Sequence, residues 1–502
     1  MLLSLLLLPL IGAMVLALRP GLGGKFAAAW SVLPLAVIGL IIGSSHGGAA
    51  AEWSLDWMPD AGIELAFRAD GTSLLFLFLT AVVTLFSIHS SLRFGIGDRV
   101  YFALVLVMQS MLFGVFTATS FIPFFLCWEM TLIPSYLLVR LWGSAKAPKA
   151  ALRFFVVTLS GGVCMLLGFL ALQLTVGTMD FVELGKLAAG REIAGAMGKA
   201  LGGVSGTMAL TIVAGMVFLG LAVKVPVVPF HAWLPDAYAE APTPVTMLLT
   251  GLLSKMGVYG LVRVFLPVFP EVLPAMAPWL GGLAVATVVL GALAALAQKD
   301  LKRILAYSSV NHLGYCVMAV AAVGASTADR EAVSSAVSGA ILQAFNHGVI
   351  VCALFYGVAV LEQKSGGLRG LNDFGGLRAK MPVFCGLFGL ALFASIGLPG
   401  LSGFVGEFLI FNGVFGLQPW AASVALVGLL LTAIFLLRII RLVFCGPLKD
   451  AVSKYEDIGK HDRWIVVPVV AMIVVFGVWP QFLLHFMNGD TVRLLDLLCP
   501  IP

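Results

Sequence analysis

The chain contains 502 residues, of which 60% are hydrophobic and only 11% are charged, and its mean hydropathy is +1.05. Because a soluble domain carries roughly 25% charged residues, this composition excludes an ordinary soluble fold and predicts an integral membrane protein whose main solvent is the lipid bilayer. The formal net charge of +5 comes from basic residues in short loops between apolar runs, so it does not predict nucleic-acid binding.

Apolar runs of about 20 residues, long enough to cross a bilayer, recur along the whole chain. The first run, MLLSLLLLPLIGAMVLALRP, resembles a signal peptide, but it lacks a basic start and other spans follow at once, so we interpret it as the first membrane helix. About fourteen spans are predicted, and the runs at 331–361 and 382–414 are long enough to contain breaks. The predicted spans are 2–18, 27–44, 72–92, 100–118, 119–139, 153–176, 208–234, 241–262, 275–297, 303–324, 331–361, 382–414, 420–443 and 465–486.

The basic residues predict the orientation. Loops that follow odd-numbered spans hold 21 of the 30 lysine and arginine residues, whereas the other loops and the C-terminal tail hold 7. Because cytoplasmic loops are enriched in Lys and Arg, both termini are predicted to lie on the non-cytoplasmic side.

Two regions between the spans have a distinct composition. Region 45–71 has five acidic residues and one arginine, which suits an outside loop. Region 177–207 is rich in Gly and Ala with amphipathic patches, and is predicted to lie at the membrane interface.

The sequence shows no soluble catalytic domain between these spans. No glycine-rich dinucleotide-binding motif follows a strand, and no phosphate-binding P-loop sequence occurs. The seven cysteines are scattered and lack a C-x-x-C pair, which argues against a disulfide framework, a metal cluster or an iron–sulfur cluster. The source of energy for the function of this protein is therefore expected to lie outside this chain.

Six ionisable residues lie well inside apolar spans, where a charge costs at least about 2.5–3.5 kcal/mol and needs a partner, a water-lined cavity or a function. Packing alone is one explanation, because Glu and Lys can pair, Lys can extend to the interface, and His can be hydrogen-bonded in the core. The occurrence of two Lys, two Glu and two His together favours a path for protons or ions, since all three types can exchange protons when buried. The six are Glu129, Lys224, Lys255, His312, His347 and Glu407.

Glu129 and Lys224 together predict a switch. A neighbouring carboxylate stabilises the charged form of a lysine, so moving Glu129 away from Lys224 would release the lysine's proton. The hypothesis depends on the separation of these two side chains.

Two spans contain helix-breaking residues close to such charges. Proline removes a backbone donor and disrupts a helix, and broken helices at membrane depth line cavities and mark transport sites. The seventh span contains KVPVVPFHAWLPDA (224–237), and the twelfth contains SIGLPGLSGFVGEF (395–408). Because they lie five spans apart, an odd offset, they predict two inverted five-helix repeats over helices 4–8 and 9–13.

Four stretches resemble the antiporter-like membrane subunits of respiratory complex I, and among these the branch called subunit M in bacteria and chain 4 in mitochondria. They are PFHAWLPDAYAEAPTPVTMLLTGLLSKMGVYGL, CWEMTLIPSYLLVRLWG, AYSSVNHLGY and GLPGLSGFVGEF, and the similarity extends from about residue 70 to 445. The resemblance implies an all-α integral membrane protein in four parts. These are 1–99 (helices 1–3 with the outside loop), 100–262 (first repeat), 263–445 (second repeat) and 446–502 (helix 14 and the tail).

The resemblance also implies a proton-relay role for all six buried ionisable residues. Their matches, in chain order, are the fifth-helix acid Glu129, the seventh-helix Lys224, the eighth-helix Lys255, the axial His312 and His347, and the twelfth-helix acid Glu407. An acid at the last position favours subunit M, because the sister subunits L and N and the sodium/proton antiporters are expected to carry lysine there. In the implied mechanism, quinone reduction elsewhere opens the Glu–Lys pair, and a proton moves along the axis and leaves at the twelfth-helix acid.

The resemblance implies that this chain is a non-redox subunit of an NADH:quinone oxidoreductase translocase and binds no cofactor itself. NAD(P)H or ferredoxin, FMN, iron–sulfur clusters and quinone would act in partner subunits. The implied partners are L-, N- and K-like membrane-arm subunits and the lipid bilayer, and the implied transported ion is H⁺. The implied location is the bacterial inner membrane or a thylakoid-type membrane.

Three other functions fit the same residues. A subunit of an Mrp-type multisubunit Na⁺/H⁺ antiporter would share the fold and the Glu–Lys pair. A membrane-bound hydrogenase or a carbon-dioxide-hydrating variant would provide a different partner complex. A structural membrane subunit without transport would tolerate the loss of Lys224 and Glu129 without any loss of pumping.

Overall fold

Long apolar helices make up most of the computed structural model, which describes residues 1–44, 51–58, 63–202 and 205–499. The two strands are β1 (Ala51–Met58) and β2 (Ile63–Ala69). The helices are α1 (Leu2–Leu18), α2 (Gly24–Trp30), α3 (Leu33–Ser44), α4 (Gly71–Phe94), α5 (Arg99–Thr117), α6 (Phe121–Met130), α7 (Leu132–Trp142), α8 (Ala147–Val176), α9 (Phe181–Ala189), α10 (Glu192–Ala200), α11 (Gly206–Lys224), α12 (Leu234–Glu240), α13 (Thr243–Leu248), α14 (Ser254–Gly260), α15 (Leu266–Val268), α16 (Leu273–Ala297), α17 (Leu301–Ala325), α18 (Arg330–Ser365), α19 (Pro382–Ile396), α20 (Ser402–Leu417), α21 (Pro419–Ile439), α22 (Asp450–Ser453), α23 (Lys460–Val478) and α24 (Gln481–Leu498).

The predicted all-α membrane fold is confirmed. Within the described residues, 12 helical segments have the length and hydropathy of a membrane span, when helices that continue one another are taken together. Three further apolar helices, α1, α19 and α20, are shorter than such a span. The number of fourteen spans, the inverted repeats and the domain limits at 99, 262 and 445 stay predictions.

Both helix breaks foreseen in the sequence are present. Helix α11 ends at Lys224, the chain winds irregularly past Pro226 and Pro229, and a short 3₁₀ turn leads into α12. These prolines have no N–H group to continue a helix. The second break separates α19 from α20, where Gly397 and Gly400 adopt φ of +85° and +90°, a conformation that favours glycine.

Helix α18 is unbroken over 36 residues, although the run at 331–361 is long enough to contain a break. It contains no proline, and at a rise of 1.5 Å per residue it extends for about 54 Å. Glycines allow neighbouring segments to approach it closely: a Cβ on Gly339 would lie 2.5 Å from the backbone nitrogen of Ile410, and one on Gly357 would lie 2.6 Å from the Phe388 ring. Helix α18 therefore runs through the bundle without interruption and packs closely against its neighbours.

The structure refines one part of the sequence prediction and corrects another. The outside loop at 45–71 contains a hairpin, in which β1 pairs antiparallel with β2; its residues 45–50 and 59–62, including Asp60, lie outside the described residues. The predicted span at 465–486 ends at Val478, because Trp479 and Pro480 interrupt the helix before α24 begins. Region 177–207 contains the short helices α9 and α10, and its interfacial position stays a prediction.

The hairpin marks one side of the bundle. Phe67 of β2 pairs with Ala118, just beyond the end of α5. We call this side the hairpin face. We call the opposite side, where Asp300 pairs with Gly370 at the start of α17 and beyond the end of α18, the basic face.

Candidate functional site

Four of the six predicted residues form a continuous buried chain across the bundle. Lys255 Nζ lies 2.6 Å from His347 Nδ1, the His347 and His312 rings lie 5.3 Å apart between centroids, and His312 Nδ1 lies 3.0 Å from Glu407 Oε1. None of the four residues is more than 4% exposed. Three basic side chains are followed by one carboxylate, at distances that hydrogen bonds or a single water can span.

A π-helical turn holds Lys255 inside the bundle. Residues Leu249–Leu253 form this turn between α13 and α14, and such turns are frequent at functional sites. Lys255 Nζ donates to the Thr250 carbonyl at 2.7 Å and to Ser254 Oγ at 3.4 Å. With His347 as its third contact, the ammonium group is satisfied within the protein, so Lys255 does not extend to the membrane interface.

The second helix break brings Glu407 to the other end of the chain. Glu407 lies in the first turns of α20, and its Oε1 accepts a hydrogen bond from Gln343 Nε2 at 3.1 Å. His312 Nε2 contacts Ser395 Oγ, near the end of α19, at 3.1 Å. A Cβ on Gly397 would lie 2.6 Å from Glu407 Oε2. Glycine is therefore needed there both for the backbone turn and for the approach of the carboxylate.

Glu129 and Lys224 stand apart from this chain and from each other. Their charged atoms form no ion pair within 4.0 Å. Lys224 Nζ lies 5.3 Å from the centre of the Trp128 ring, a cation–π arrangement. Glu129 Oε1 packs against Gly162 and has no hydrogen-bond partner. The structure therefore shows the predicted switch pair in a separated arrangement.

Lys224 has no direct hydrogen bond to Lys255. Between them, α11 and α14 approach closely, since a Cβ on Gly257 would lie 3.0 Å from the Val225 backbone nitrogen. The structure thus brings Lys255, His347 and the residues beyond them together, but it does not join Lys224 to them.

Polar side chains along the axis were missed by the sequence prediction, because it followed only charged residues and histidines. Several have buried atoms without a hydrogen-bond partner: Thr250 Oγ1, Gln343 Oε1 and Asn346 Oδ1, together with His347 Nε2. Buried polar atoms of this kind are commonly satisfied by ordered water. Polar residues at helical spacing inside an apolar span were the available signal.

At the basic face, a cavity of about 540 Å³ lies beside a cluster of ion pairs. Lys302 is only 3% exposed and lies 3.3 Å from Glu362 Oε1. Glu240 and Arg369 line the same cavity. In the sequence Lys302 counted only as a basic loop residue, because hydropathy does not reveal that the start of α17 is covered.

At the hairpin face, a cavity of about 310 Å³ contains two carboxylates beside Arg263. Asp70 pairs with Arg263 and accepts from the Ser73 N–H at 3.0 Å, and Asp490 accepts from the Thr72 N–H at 2.7 Å. Burial raises the pKa of Asp490, and the neighbouring Asp70 adds to the shift. Burial opposes ionisation of Asp70 too, but Arg263 and the Ser73 N–H lower its pKa below the ordinary value.

Metal and disulfide chemistry find no support within the described part of the chain. No group of three or more His, Cys, Asp or Glu residues is arranged there to hold a metal ion. All seven cysteines are free thiols. The side chains of the buried chain, Lys, His and Glu, are types that can exchange protons.

The comparison with known sequences identifies a family. The family described as NADH:quinone oxidoreductase/Mrp antiporter, transmembrane, matches residues 118–432. The chain is 33% identical over 501 residues to NADH-quinone oxidoreductase subunit M of Rhodobacter capsulatus, with 97% of this chain and 95% of that protein covered. It is 33% identical over 442 residues to the subunit M of Rickettsia conorii, with 88% of this chain and 85% of that protein covered.

Solved structures show the same fold. A chain of respiratory complex I from Thermus thermophilus matches with a TM-score of 0.85 and 25% identity, over 99% of this chain and 100% of that one. A chain of the Mrp complex from a Dietzia species matches with a TM-score of 0.83 and 22% identity, over 99% of this chain and 97% of that one. The second likeness concerns the fold alone.

We expect ordered water along the axis. An experimental map that resolves waters should show density within hydrogen-bonding distance of His347 Nε2, Gln343 Oε1 and Thr250 Oγ1, because these buried atoms have no protein partner. Glu129 Oε1 provides a fourth position. A well-resolved map with dry, fully packed surroundings at all of these atoms would contradict the hydrated axis.

Proposed function

The chain belongs to the NADH:quinone oxidoreductase/Mrp antiporter transmembrane family, and on this basis we propose that it moves protons across the membrane as a membrane-arm subunit of an NAD(P)H:quinone oxidoreductase. The resemblance to antiporter-like subunits, and to subunit M in particular, is confirmed by the relatives and by the fold. The observation that carries the proposal is the buried chain of Lys255, His347, His312 and Glu407.

Each link of this chain has the chemistry for a proton step. Lys255 Nζ lies 2.6 Å from His347 Nδ1, so a protonated lysine can pass a proton to an unprotonated Nδ1 of the ring. His347 Nε2 has no protein partner and is free to contact water, which can carry the proton over the gap to His312. His312 contacts Glu407 through Nδ1, and the carboxylate is the acceptor at the end. A low-dielectric interior strengthens the interaction between neighbouring charges, so a change in one group affects the next.

We assign the control of this movement to Glu129 and Lys224. When the two side chains approach each other, Lys224 is stabilised as a cation, and when they separate that stabilisation falls. Lys224 sits at the broken end of α11, so a shift of the break moves its charge relative to the axis. We propose that this shift is driven by quinone reduction in partner subunits.

The partner assignment follows the relatives that the chain matches in sequence. The relatives named subunit M or chain 4 belong to quinone oxidoreductases. We propose that L-, N- and K-like subunits flank this chain and that NAD(P)H or ferredoxin, FMN, iron–sulfur clusters and quinone all bind to other subunits. The acid at Glu407 favours this assignment over an Mrp-type antiporter, for which lysine is expected at that position.

The chain is a multi-pass membrane protein. We propose that it lies in a bacterial inner membrane or a thylakoid-type membrane, with both termini and the hairpin face on the non-cytoplasmic side. The concentration of basic residues in the alternate loops supports this orientation. Protons would then enter at the basic face and leave on the side of the hairpin.

Replacing Lys224 tests the switch. Lys224→Ala should lower proton pumping by the assembled complex by about tenfold or more, because a positioned proton-transfer group commonly contributes about 10²–10⁴-fold. The measurement is acidification of inverted membrane vesicles during NADH oxidation, normalised to the amount of assembled complex. Lys199→Ala, in an exposed lysine of α10, is the matched control and should pump normally. Full pumping by Lys224→Ala would favour a structural subunit without transport.

Replacing Glu407 tests the end of the chain. Glu407→Gln keeps the size of the side chain but removes its charge and its proton affinity, so pumping should fall while NADH oxidation with an uncoupler is retained. Glu407→Lys should retain part of the pumping, because lysine can also exchange protons when buried. The ratio of pumped protons to oxidised NADH is the measurement. A normal ratio with Glu407→Gln would reduce Glu407 to a packing role.

A further inference from the structure

We propose that Lys255 receives its protons from the basic face through Glu362, along a row of hydroxyl groups on α13, the π-turn and α14. The inference rests on the proposed function, because it identifies where the transported protons enter. It gives roles to Glu362, Lys302, Thr243 and Thr250, none of which stood out in the sequence.

The row begins at the cavity of about 540 Å³. The Glu362 side chain is 22% exposed, so water reaches it, whereas the Lys302 side chain beside it is 4% exposed. Lys302 Nζ donates to the Ala241 carbonyl at 3.0 Å, which fixes the lysine against the chain just before α13. Glu362 therefore lies between open water and the buried start of this helix.

The next link is a direct hydrogen bond. Thr243, the first residue of α13, donates from Oγ1 to Glu362 Oε2 at 2.5 Å. From there, Thr246, Thr250 and Ser254 follow at steps of three or four residues, so their side chains fall on about the same side of a helix. All of these hydroxyl side chains are at most 3% exposed, although the surrounding span is apolar.

The row ends at the lysine. Thr250 supplies its carbonyl to Lys255 Nζ, and Ser254 Oγ lies 3.4 Å from the same nitrogen. Thr250 Oγ1 is completely buried and has no hydrogen-bond partner. The Tyr238 hydroxyl donates to the Leu249 carbonyl within the same turn. An unpaired hydroxyl in such polar surroundings is a position for a bridging water between the row and Lys255.

The proton balance is simple. Glu362 takes one proton from cavity water, and the hydroxyls and waters of the row each accept one proton and release one. Lys255, which has given its proton to His347, accepts one in return. The charged groups that face Glu362 are Lys302 and Arg369, and Arg369 also pairs with Asp300. Two cationic side chains therefore lie beside the carboxylate that is proposed to take up the proton.

Glu362→Gln tests the entry point in the intact complex. In inverted vesicles the basic face meets the buffer, whose pH can be varied. Near pH 8, where the buffer holds few protons, we expect this variant to pump about tenfold more slowly than the unmodified complex, because it has no carboxylate to take them up. Toward pH 6 its pumping should recover. Glu362→Asp should restore most of the rate. Thr250→Val, nearly equal in volume, should lower pumping at every pH because it interrupts the row.

The controls use the same chemical changes elsewhere. Glu331→Gln is exposed at the other end of α18, and Thr175→Val removes a hydroxyl from α8 that bonds only within its own helix; both should pump normally. Normal pumping by Glu362→Gln and Thr250→Val would overturn this route, as would an equal loss by Glu362→Gln at all pH values. The proposed function itself fails only if Lys224→Ala and Glu407→Gln also pump normally, so the two failures are distinguishable.

Discussion

The cost of placing an ammonium group at membrane depth is the constraint on which the rest of the structure depends. Lys255 is completely buried, and an unpartnered charge there would be expensive. Contacts from the Thr250 carbonyl, the Ser254 hydroxyl and the His347 ring to the Lys255 ammonium group offset this cost. Two of these partners depend on a π-turn in the lysine's own helix, and the third comes from α18. Of these partners, His347 can itself exchange protons, which the proposed proton path requires.

Broken and unbroken helices have complementary roles around this lysine. Helix α18 remains continuous over its 36 residues, so it holds His347 in the middle of the bundle and Glu362 at the basic face. The break between α19 and α20 allows Glu407 to approach His312, and the break after α11 leaves Lys224 at a helix end. In both halves an acid packs against a glycine, Glu129 against Gly162 and Glu407 against Gly397. One continuous helix thus faces two helix breaks.

The sequence predicts much of this arrangement, because the energetic signals are local. Apolar length and the prolines predict the membrane bundle and its breaks, and the cost of burial singles out Lys255 and Glu407. The distance between side chains that are far apart in the sequence cannot be read from local sequence signals. Only the three-dimensional structure therefore shows that Lys224 is separated from Glu129, and in which order the two histidines lie. The hairpin at 51–69 was missed because a search for apolar runs passes over strands. The burial of Lys302 depends on segments far along the chain.

We propose that protons cross the gap between Lys255 and His312 by way of His347. The most direct measurement is the number of protons pumped per electron in sealed vesicles containing the complex with His347→Leu, which keeps an apolar side chain in α18 but removes both ring nitrogens. We expect a clear fall in this ratio, while NADH oxidation persists when an uncoupler is present. An unchanged ratio in the fully assembled complex would show that the protons take another path.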